Sequence, residues 1–384
     1  MLARDHAPGK APRHRRVFTP GPRSRTIAAA DRPGRRMDND DFLILRSGEA
    51  VGLVTPGEAL EAIEDAWREY GTARRLLSSP PALSLATGAT RFKVKGAVLP
   101  AQNLAGFRLL TDSRDAEGRD ASRGWFWLAE AEGGRPLALI EEHWLHCLRT
   151  AATGALAARL LTRPGATRAA LIGAGRIAAH VPAVLAAALP GLTTLHVAAR
   201  RPEAVAAFCA AAPADLSLAL HAAPSIEAAV ADADLVITLT SATSPVLHAA
   251  ALRQGATVIG LGDTEMAADV LGWSDRFVVD DLVFALTVGS VGAWVAAGAA
   301  TPGSLAARLD ADVGEVVAGL KPGRQTAEQN LLAIIQGMAI GDLALAALAF
   351  RKARLRRLGL RFSLGEATAP RAANPTPRRN RSLR

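Results

Sequence analysis

Apolar positions along the chain come in two textures, and the change from one to the other organises the molecule. From residue 169 to 280 they form short uninterrupted runs: Ala169-Ala170-Leu171-Ile172, Thr194 to Arg200, Leu235 to Thr240, Ala256 to Leu261 and Arg276 to Asp280. Stretches compatible with helices separate these runs, among them Pro202 to Ala212. Buried runs of strand length alternating with helices predict a parallel sheet covered on both faces. Before residue 160 the pattern is different. Phe42 to Leu45 is strand-like, and Thr55-Pro56-Gly57-Glu58 opens a helix with a cap, a proline at the first helical position and an acid three residues on. That helix is expected to run to Tyr70 and stop at Gly71. Arg91 to Leu99 and Gly106 to Thr111, joined through Pro100 to Ala105, alternate as a hairpin. Glu141 to Leu161 reads as an amphipathic helix. The long run from Leu331 to Phe350, interrupted by Gln336, Gly337, Gly341 and Asp342, reads as one buried helix rather than a membrane span.

The first of the buried runs leads directly into Gly173-Ala174-Gly175-Arg176-Ile177-Ala178. A strand passing through G-x-G-x-x-G/A into a helix suits a dinucleotide. The first glycine makes the turn, the second lets backbone approach a pyrophosphate, and the small third residue lets helix pack on strand. Ligands of such sheets lie beyond the carboxyl ends of the strands, which puts Gly173, Gly175, Arg176, Ile177 and Thr240 forward as cofactor residues. The second strand ends Ala198-Ala199-Arg200-Arg201, with no carboxylate before Glu203. An acid there would favour NAD, whereas two arginines attract a 2′-phosphate. The cofactor is therefore expected to be NADP or NAD, with NADP(H) preferred through Arg200 and Arg201.

Charge changes the picture less than it first suggests. The 384 residues carry +9, but residues 1–36 hold ten Arg and Lys against two Asp, and 361–384 hold six Arg against one Glu. Subtracting these tails, +8 and +5, leaves the middle of the chain at −4. The basic charge belongs to two Arg/Pro-rich segments expected to be disordered, so a nucleic-acid partner is not expected. Neither tail reads as a signal peptide, and Cys147 with Cys209 forms no disulfide framework or metal-spaced cluster; no metal is expected and a cytoplasmic location is.

The hairpin carries the candidate substrate chemistry. Alternation puts Phe92, Val94 and Val98 on one face and Lys93 and Lys95 on the other, with Arg108 opposing Phe107 and Leu109 in the partner strand. In a chain of forty arginines and five lysines, two lysines spaced by one residue suggest a requirement for an ammonium. A solvated basic face is the alternative; a converging cationic cluster would suit a carboxylate.

Taken in order, Lys95-Gly96-Ala97-x-x-Pro100, Ala105-Gly106-Phe107-Arg108, Arg149-Thr150-Ala151-Ala152, Ile172-Gly173-Ala174-Gly175 and Gly337-Met338-Ala339-Ile340-Gly341-Asp342 resemble the ornithine cyclodeaminase/mu-crystallin family over roughly residues 40–360. The resemblance implies an α/β fold in which a Rossmann-type doubly wound parallel sheet is inserted into a second α+β substrate and dimerisation domain. It divides the chain into a basic tail (1–38), a discontinuous substrate domain (39–160 plus 325–362), a Rossmann domain (166–318) and a second tail (363–384), and it implies a homodimer. Since family-like sequence begins just after Met37, translation is expected to start there. By the same resemblance Arg149 binds a substrate carboxylate and Thr150 lies near the cofactor phosphates. The family's substrate-facing lysine falls on Arg108, a departure for which Lys93 or Lys95 can compensate, Lys95 as a catalytic group. The family's catalytic aspartate falls on Asp263, but Gly262-Asp263-Thr264-Glu265 is shortened and lacks the lysine of cyclodeaminases. The expected activity is therefore an NAD(P)-dependent amino-acid dehydrogenase or ketimine reductase on a small amino or imino acid. A cyclodeaminase, or a non-catalytic nucleotide binder of the mu-crystallin kind, stays open.

Overall fold

The computed structural model describes residues 41–73, 83–119 and 121–364. The first basic tail, with the expected start at Met37, lies outside the described residues, as does the second beyond residue 364. The elements in chain order are β1 (Asp41–Leu45), α1 (Ser47–Ala50), α2 (Pro56–Ala73), β2 (Leu83–Thr87), β3 (Thr90–Leu99), β4 (Leu104–Asp112), β5 (Arg123–Glu130), β6 (Pro136–Glu141), α3 (His143–Leu161), β7 (Arg168–Ile172), α4 (Val181–Ala188), β8 (Thr194–Ala198), α5 (Pro202–Ala210), β9 (Ala219–Ala222), α6 (Ile226–Val230), β10 (Leu235–Thr238), β11 (Thr257–Gly260), α7 (Asp269–Trp273), β12 (Arg276–Val279), α8 (Leu282–Ala285), α9 (Gly289–Ala296), α10 (Pro302–Arg308), β13 (Ala311–Asp312), α11 (Val313–Val317), β14 (Leu331–Ile334), α12 (Ala339–Arg356) and β15 (Leu360–Ser363).

These strands build two sheets. Seven strands in the order β15-β1-β6-β5-β4-β3-β2 form a largely antiparallel sheet, and eight in the order β13-β12-β14-β11-β10-β7-β8-β9 form a parallel one. The fold is α/β with a Rossmann-type sheet. In the parallel sheet β7 pairs with β10 on one side and β8 on the other, so the chain reverses its direction of progress at β7. A crevice opens at such a switch point, beyond the carboxyl ends of the strands. The glycine motif follows β7 and therefore stands at that crevice.

Three sequence expectations are corrected. The run from Leu331 is not one helix: Leu331–Ile334 is β14, lying between β11 and β12 of the parallel sheet rather than in the substrate domain assigned to 325–362, and α12 starts only at Ala339. A strand buried on both faces has no period that distinguishes it from a buried helix, and the break is Gly337, whose φ of 83° ends the extended run. Gly71 does not stop α2. A Cβ there would lie 2.1 Å from the Gly314 carbonyl oxygen, so this glycine permits close packing of α2 on α11. Finally, α3 is buried almost all round rather than amphipathic, because it runs between the two sheets: a Cβ on Gly154 would meet Leu261 at 2.8 Å, and Thr257 of β11 donates to the Leu161 carbonyl at 3.0 Å. The capping box of α2 forms as read, Thr55 and Glu58 exchanging side-chain to backbone bonds of 2.9 and 3.3 Å.

The hairpin β3-β4 turns through Pro100–Gln102 and Asn103, which takes a left-handed conformation (φ 52°) that asparagine tolerates. Its register sets Lys95 opposite Arg108 and Lys93 opposite Leu110, so all three cations share one face. That face is the inner one. Ala97, Leu99, Leu104, Phe126 and Leu128 are buried there beneath α12, whereas Phe92, Phe107 and Leu109 on the other face are 46%, 47% and 40% exposed.

Candidate active site

The glycine turn has the shape a dinucleotide needs. Gly173 has a φ of 125°, donates to the Ala198 carbonyl at 2.8 Å, and would place a Cβ 2.2 Å from the Leu239 carbonyl oxygen. Only glycine fits that backbone. Gly175 is exposed, and a Cβ there would find no heavy atom within 4 Å, which leaves open space on the side where a phosphate approaches. Ala178 is fully buried, as the helix-strand contact requires. The helix opens as a short 3₁₀ turn, Ala178–His180, before α4 begins at Val181 with Pro182 in its first turn. Arg176 is exposed and Ile177 partly buried on this loop, while Arg200 and Arg201 are exposed just past the end of β8.

The loops after β10 and β11 are pinned by a carboxylate the sequence reading had not singled out. Glu265 is buried; one oxygen accepts from the Thr238 hydroxyl at 2.7 Å and the Gly262 amide at 2.8 Å, and the other from the Thr240 amide. Burial raises its carboxyl despite these bonds. Thr240 also accepts the Ala242 amide at 3.1 Å. In Gly262-Asp263-Thr264-Glu265 the acid that organises the loop is therefore Glu265, and Asp263 is exposed.

Beside this crevice the inner face of the hairpin meets α3 and α12. Arg108, 7% exposed, makes two parallel bonds to Glu142, Nε to Oε2 at 2.8 Å and Nη2 to Oε1 at 2.9 Å. Burial disfavours its charge, but Asp342 and Glu142 override this and raise its pKa. Arg149 donates through Nε to Asp342 Oδ1 at 2.8 Å, and its Nη2 lies 2.8 Å from His146 Nδ1. One turn of α3 separates His146 from Arg149, which is why they meet. Burial, with Arg149 and Arg108, pushes His146 down to about 3. The imidazole is thus neutral, accepts at Nδ1 from the guanidinium and carries its proton on Nε2. Burial alone would raise Asp342, but Arg149 and Arg108 reverse this and hold it well below the ordinary carboxylate range. Its Oδ2 is buried with no hydrogen-bond partner among the described residues.

Lys95 completes the group. Its Nζ stands 4.6 Å from the centroid of the Phe284 ring, a contact that joins the antiparallel sheet to α8 at the carboxyl end of β12. Burial lowers Lys95 to about 8, helped by Arg149 and Arg108 and opposed by Asp342 and Asp280. Phe284 is itself fixed, since Asp281 caps α8 by accepting its amide at 2.8 Å and also accepts the Tyr70 hydroxyl at 2.8 Å. Asp280, fully buried, accepts the Gln336 and Gly337 amides at 2.8 and 2.7 Å, and burial raises it to about 6. Gly337 in turn lies against Arg149, where a Cβ would sit 2.1 Å from Nη1.

Of the residues read from the sequence, the structure brings together Lys95, Arg108 and Arg149. It does not bring in Lys93, which pairs instead with Asp112 at 2.6 Å, or Asp263, which stays exposed on its loop. Thr150 is buried next to Arg149 and donates to the His146 carbonyl at 2.8 Å. The reading missed Glu142, His146, Asp280, Phe284 and the role of Asp342. The carboxylates had a signal: Asp342 is the one charge in the apolar run from Leu331 to Phe350, and Asp280 directly follows a buried strand, and acids in such places are paired. Phe284 had none.

The family model described as "Ornithine cyclodeaminase/mu-crystallin family" matches residues 45–356. One relative, from Rhizobium meliloti (strain 1021), is 30% identical over 330 residues, 83% of this chain and 98% of its own, and is described only provisionally as a dehydrogenase. A delta(1)-pyrroline-2-carboxylate reductase of Bacillus cereus (strain ATCC 14579) is 23% identical over 326 residues, 83% of this chain and 98% of its own. Among solved structures, an archaeal alanine dehydrogenase dimer with bound NAD superposes with a TM-score of 0.76 at 26% identity, covering 84% of this chain and 99% of that one. With a family match over most of its length, the chain belongs to the ornithine cyclodeaminase/mu-crystallin family.

Proposed function

We propose that the protein is an NAD(P)-dependent oxidoreductase that moves a hydride between nicotinamide and the α-carbon of a small amino or imino acid. The observation that carries this reading is the Lys95 ammonium lying on Phe284, which puts the cations of the antiparallel sheet at the carboxyl end of the parallel one. Gly173, the open space at Gly175 and Ala178 fit a dinucleotide, whose nicotinamide, when bound, supplies or takes up the hydride. Lys95, Arg108 and Arg149 hold the substrate carboxylate and so orient the α-carbon, making the transfer effectively unimolecular. Asp263 lies outside the cation cluster, exposed on the loop after β11, and is proposed to exchange a proton with the substrate nitrogen from there. Cyclodeamination fits less well, because the acid that replaces the family's longer element, Glu265, is committed to holding the loop.

The test is anaerobic incubation of NADPH or NADH with cyclic and acyclic α-imino acids, following absorbance of the reduced cofactor. Cofactor oxidation with an imino acid is expected. Ammonia release from a diamino acid without net cofactor change would instead make it a cyclodeaminase, and nucleotide binding without turnover a binder. In the same assay kcat/KM reports the free enzyme. Lys95 must be protonated to attract a carboxylate, so kcat/KM should be level below pH 8 and fall above it, and Lys95→Arg should move that limb to higher pH. An unmoved limb assigns it to another group.

Cofactor choice rests on Arg200 and Arg201. Both are exposed at the end of β8, where a 2′-phosphate would lie, so the wild type should bind NADPH more tightly than NADH, and Arg200→Ala or Arg201→Ala should weaken NADPH selectively. Fluorescence titration decides this; tighter NADH binding by the wild type overturns it.

The outer face of the antiparallel sheet supports a homodimer. Leu83, Leu85, Phe92, Phe107 and Leu109 are 40–63% exposed on one continuous surface, with Phe107 stacked on Trp127 at 5.6 Å. Exposed apolar area of this kind marks an interface, and the solved alanine dehydrogenase relative is a dimer. Light scattering should give twice the chain mass for the wild type and a single chain for Phe107→Glu; a monomeric wild type rules it out.

A further inference from the structure

We propose that Lys95 is also a nucleophile, forming a covalent ketimine with 2-oxo acids that enter the site. Two features of its surroundings point this way. Its side chain is half-buried on the inner face of the hairpin, with the amine 4.6 Å from the centroid of the apolar Phe284 ring. It stands among guanidiniums, Arg149 and Arg108, whose own acid partners Asp342 and Glu142 are already engaged with them. A lysine desolvated on an aromatic ring and crowded by other cations is the arrangement that frees an amine for attack on a carbonyl. The same guanidiniums attract the carboxylate that sits next to the ketone of a 2-oxo acid, which sets C2 beside Nζ. Here the inference rests on the proposed function, since both require the cluster to receive a carboxylate.

The step balances without an added oxidant or reductant. Neutral Nζ adds to C2, the carbonyl oxygen takes up a proton to give a carbinolamine, and loss of water leaves a carbon-nitrogen double bond between Lys95 and the acid. With its pKa near 8, about a tenth of Lys95 is free amine at pH 7, roughly 300-fold more than for an ordinary lysine. The attacking form is the neutral one, so formation should increase as pH rises through 8, opposite to the carboxylate binding that needs the ammonium. The product has the same functional group as an α-imino acid, and a 2-oxo acid held this way blocks the site.

The chain has five lysines, Lys10, Lys93, Lys95, Lys321 and Lys352, which makes the experiment simple to read. The full chain is incubated with pyruvate and sodium cyanoborohydride, without nicotinamide, and digested for mass spectrometry. The expected result is a 1-carboxyethyl group on Lys95 at least about tenfold in excess over Lys93, which is two residues away but paired with Asp112. Acetaldehyde, which lacks the carboxylate, should lose that preference, and Lys95→Arg should lose the adduct while the exposed lysines keep theirs. Adducts distributed over the other lysines with none in excess at Lys95, or equal preference for acetaldehyde, overturn the proposal. Because trapping uses no cofactor and reads no turnover, it can fail while imine reduction is observed, or succeed while none is.

Discussion

Arg149→Ala is expected to lose at least roughly a hundredfold in turnover and, unlike a substitution of a purely ligand-binding arginine, about 3–5 kcal/mol of stability. By the family resemblance Arg149 is a carboxylate anchor. The structure adds that it is 3% exposed and paired with Asp342, whose second oxygen is already without a partner. Truncating Arg149 leaves that buried carboxylate uncompensated, and His146 loses the donor to its Nδ1. The two losses separate in a second variant. Arg149→Met with Asp342→Leu removes both charges and fills similar volume, and replacing a buried pair by apolar groups restores most of the stability. Denaturant midpoints should therefore fall for the single variant and largely recover for the double one, while turnover stays lost in both. A single variant as stable as the wild type would mean that the pair contributes no stability, and a double variant that regains turnover would remove Arg149 from the substrate site.

How far the site could be read from sequence depends on what kind of information each residue carries. Gly173 and Gly175 are legible because their role is local: the turn, the open approach and the small residue at 178 are encoded within six positions. The hairpin register is local too, and alternation correctly places Lys95 and Arg108 on one face. Which face points inward is not local. Phe92, Phe107 and Leu109 look like the core side of a hairpin, yet in the single chain they are the exposed side, because α12 covers the other face. Arg108 and Lys93 illustrate the same limit. On the strand both are cations facing one way, but Arg108 meets Glu142, 34 residues later, and Lys93 meets Asp112 nearer the sheet's free end. Asp342 lies 193 residues from Arg149 and Phe284 comes from the other sheet's side of the molecule, so nothing short of the fold could pair them with their partners. The loop at Asp263 divides in the same way: the family pattern marks the aspartate, while only the fold shows that Glu265, two residues on, is the acid that holds the loop.

The glycine turn gives the second large effect, and it differs between two residues that a motif treats alike. Gly173→Ala should cost roughly 2–5 kcal/mol, because the backbone sits at a φ of 125° and the new methyl would lie 2.2 Å from the Leu239 carbonyl oxygen. That oxygen belongs to the chain leaving β10, which Glu265 pins through Thr238 and Thr240, so it has little room to retreat. Gly175→Ala should leave stability within about 1 kcal/mol of the wild type, since its methyl meets no atom of the described residues within 4 Å. The cost at Gly175 should appear only when the cofactor binds. A methyl there occupies the space through which the pyrophosphate approaches the amides, and loss of one charge-assisted hydrogen bond weakens nucleotide binding by about tenfold or more. Thermal unfolding with and without NADPH, together with fluorescence titration, separates the two: Gly173→Ala should be destabilised in the absence of nucleotide, and Gly175→Ala should unfold like the wild type alone but gain less from the ligand. Wild-type nucleotide affinity in Gly175→Ala would mean that the phosphates do not pass over this turn, and the dinucleotide would have to be placed elsewhere along the strand ends.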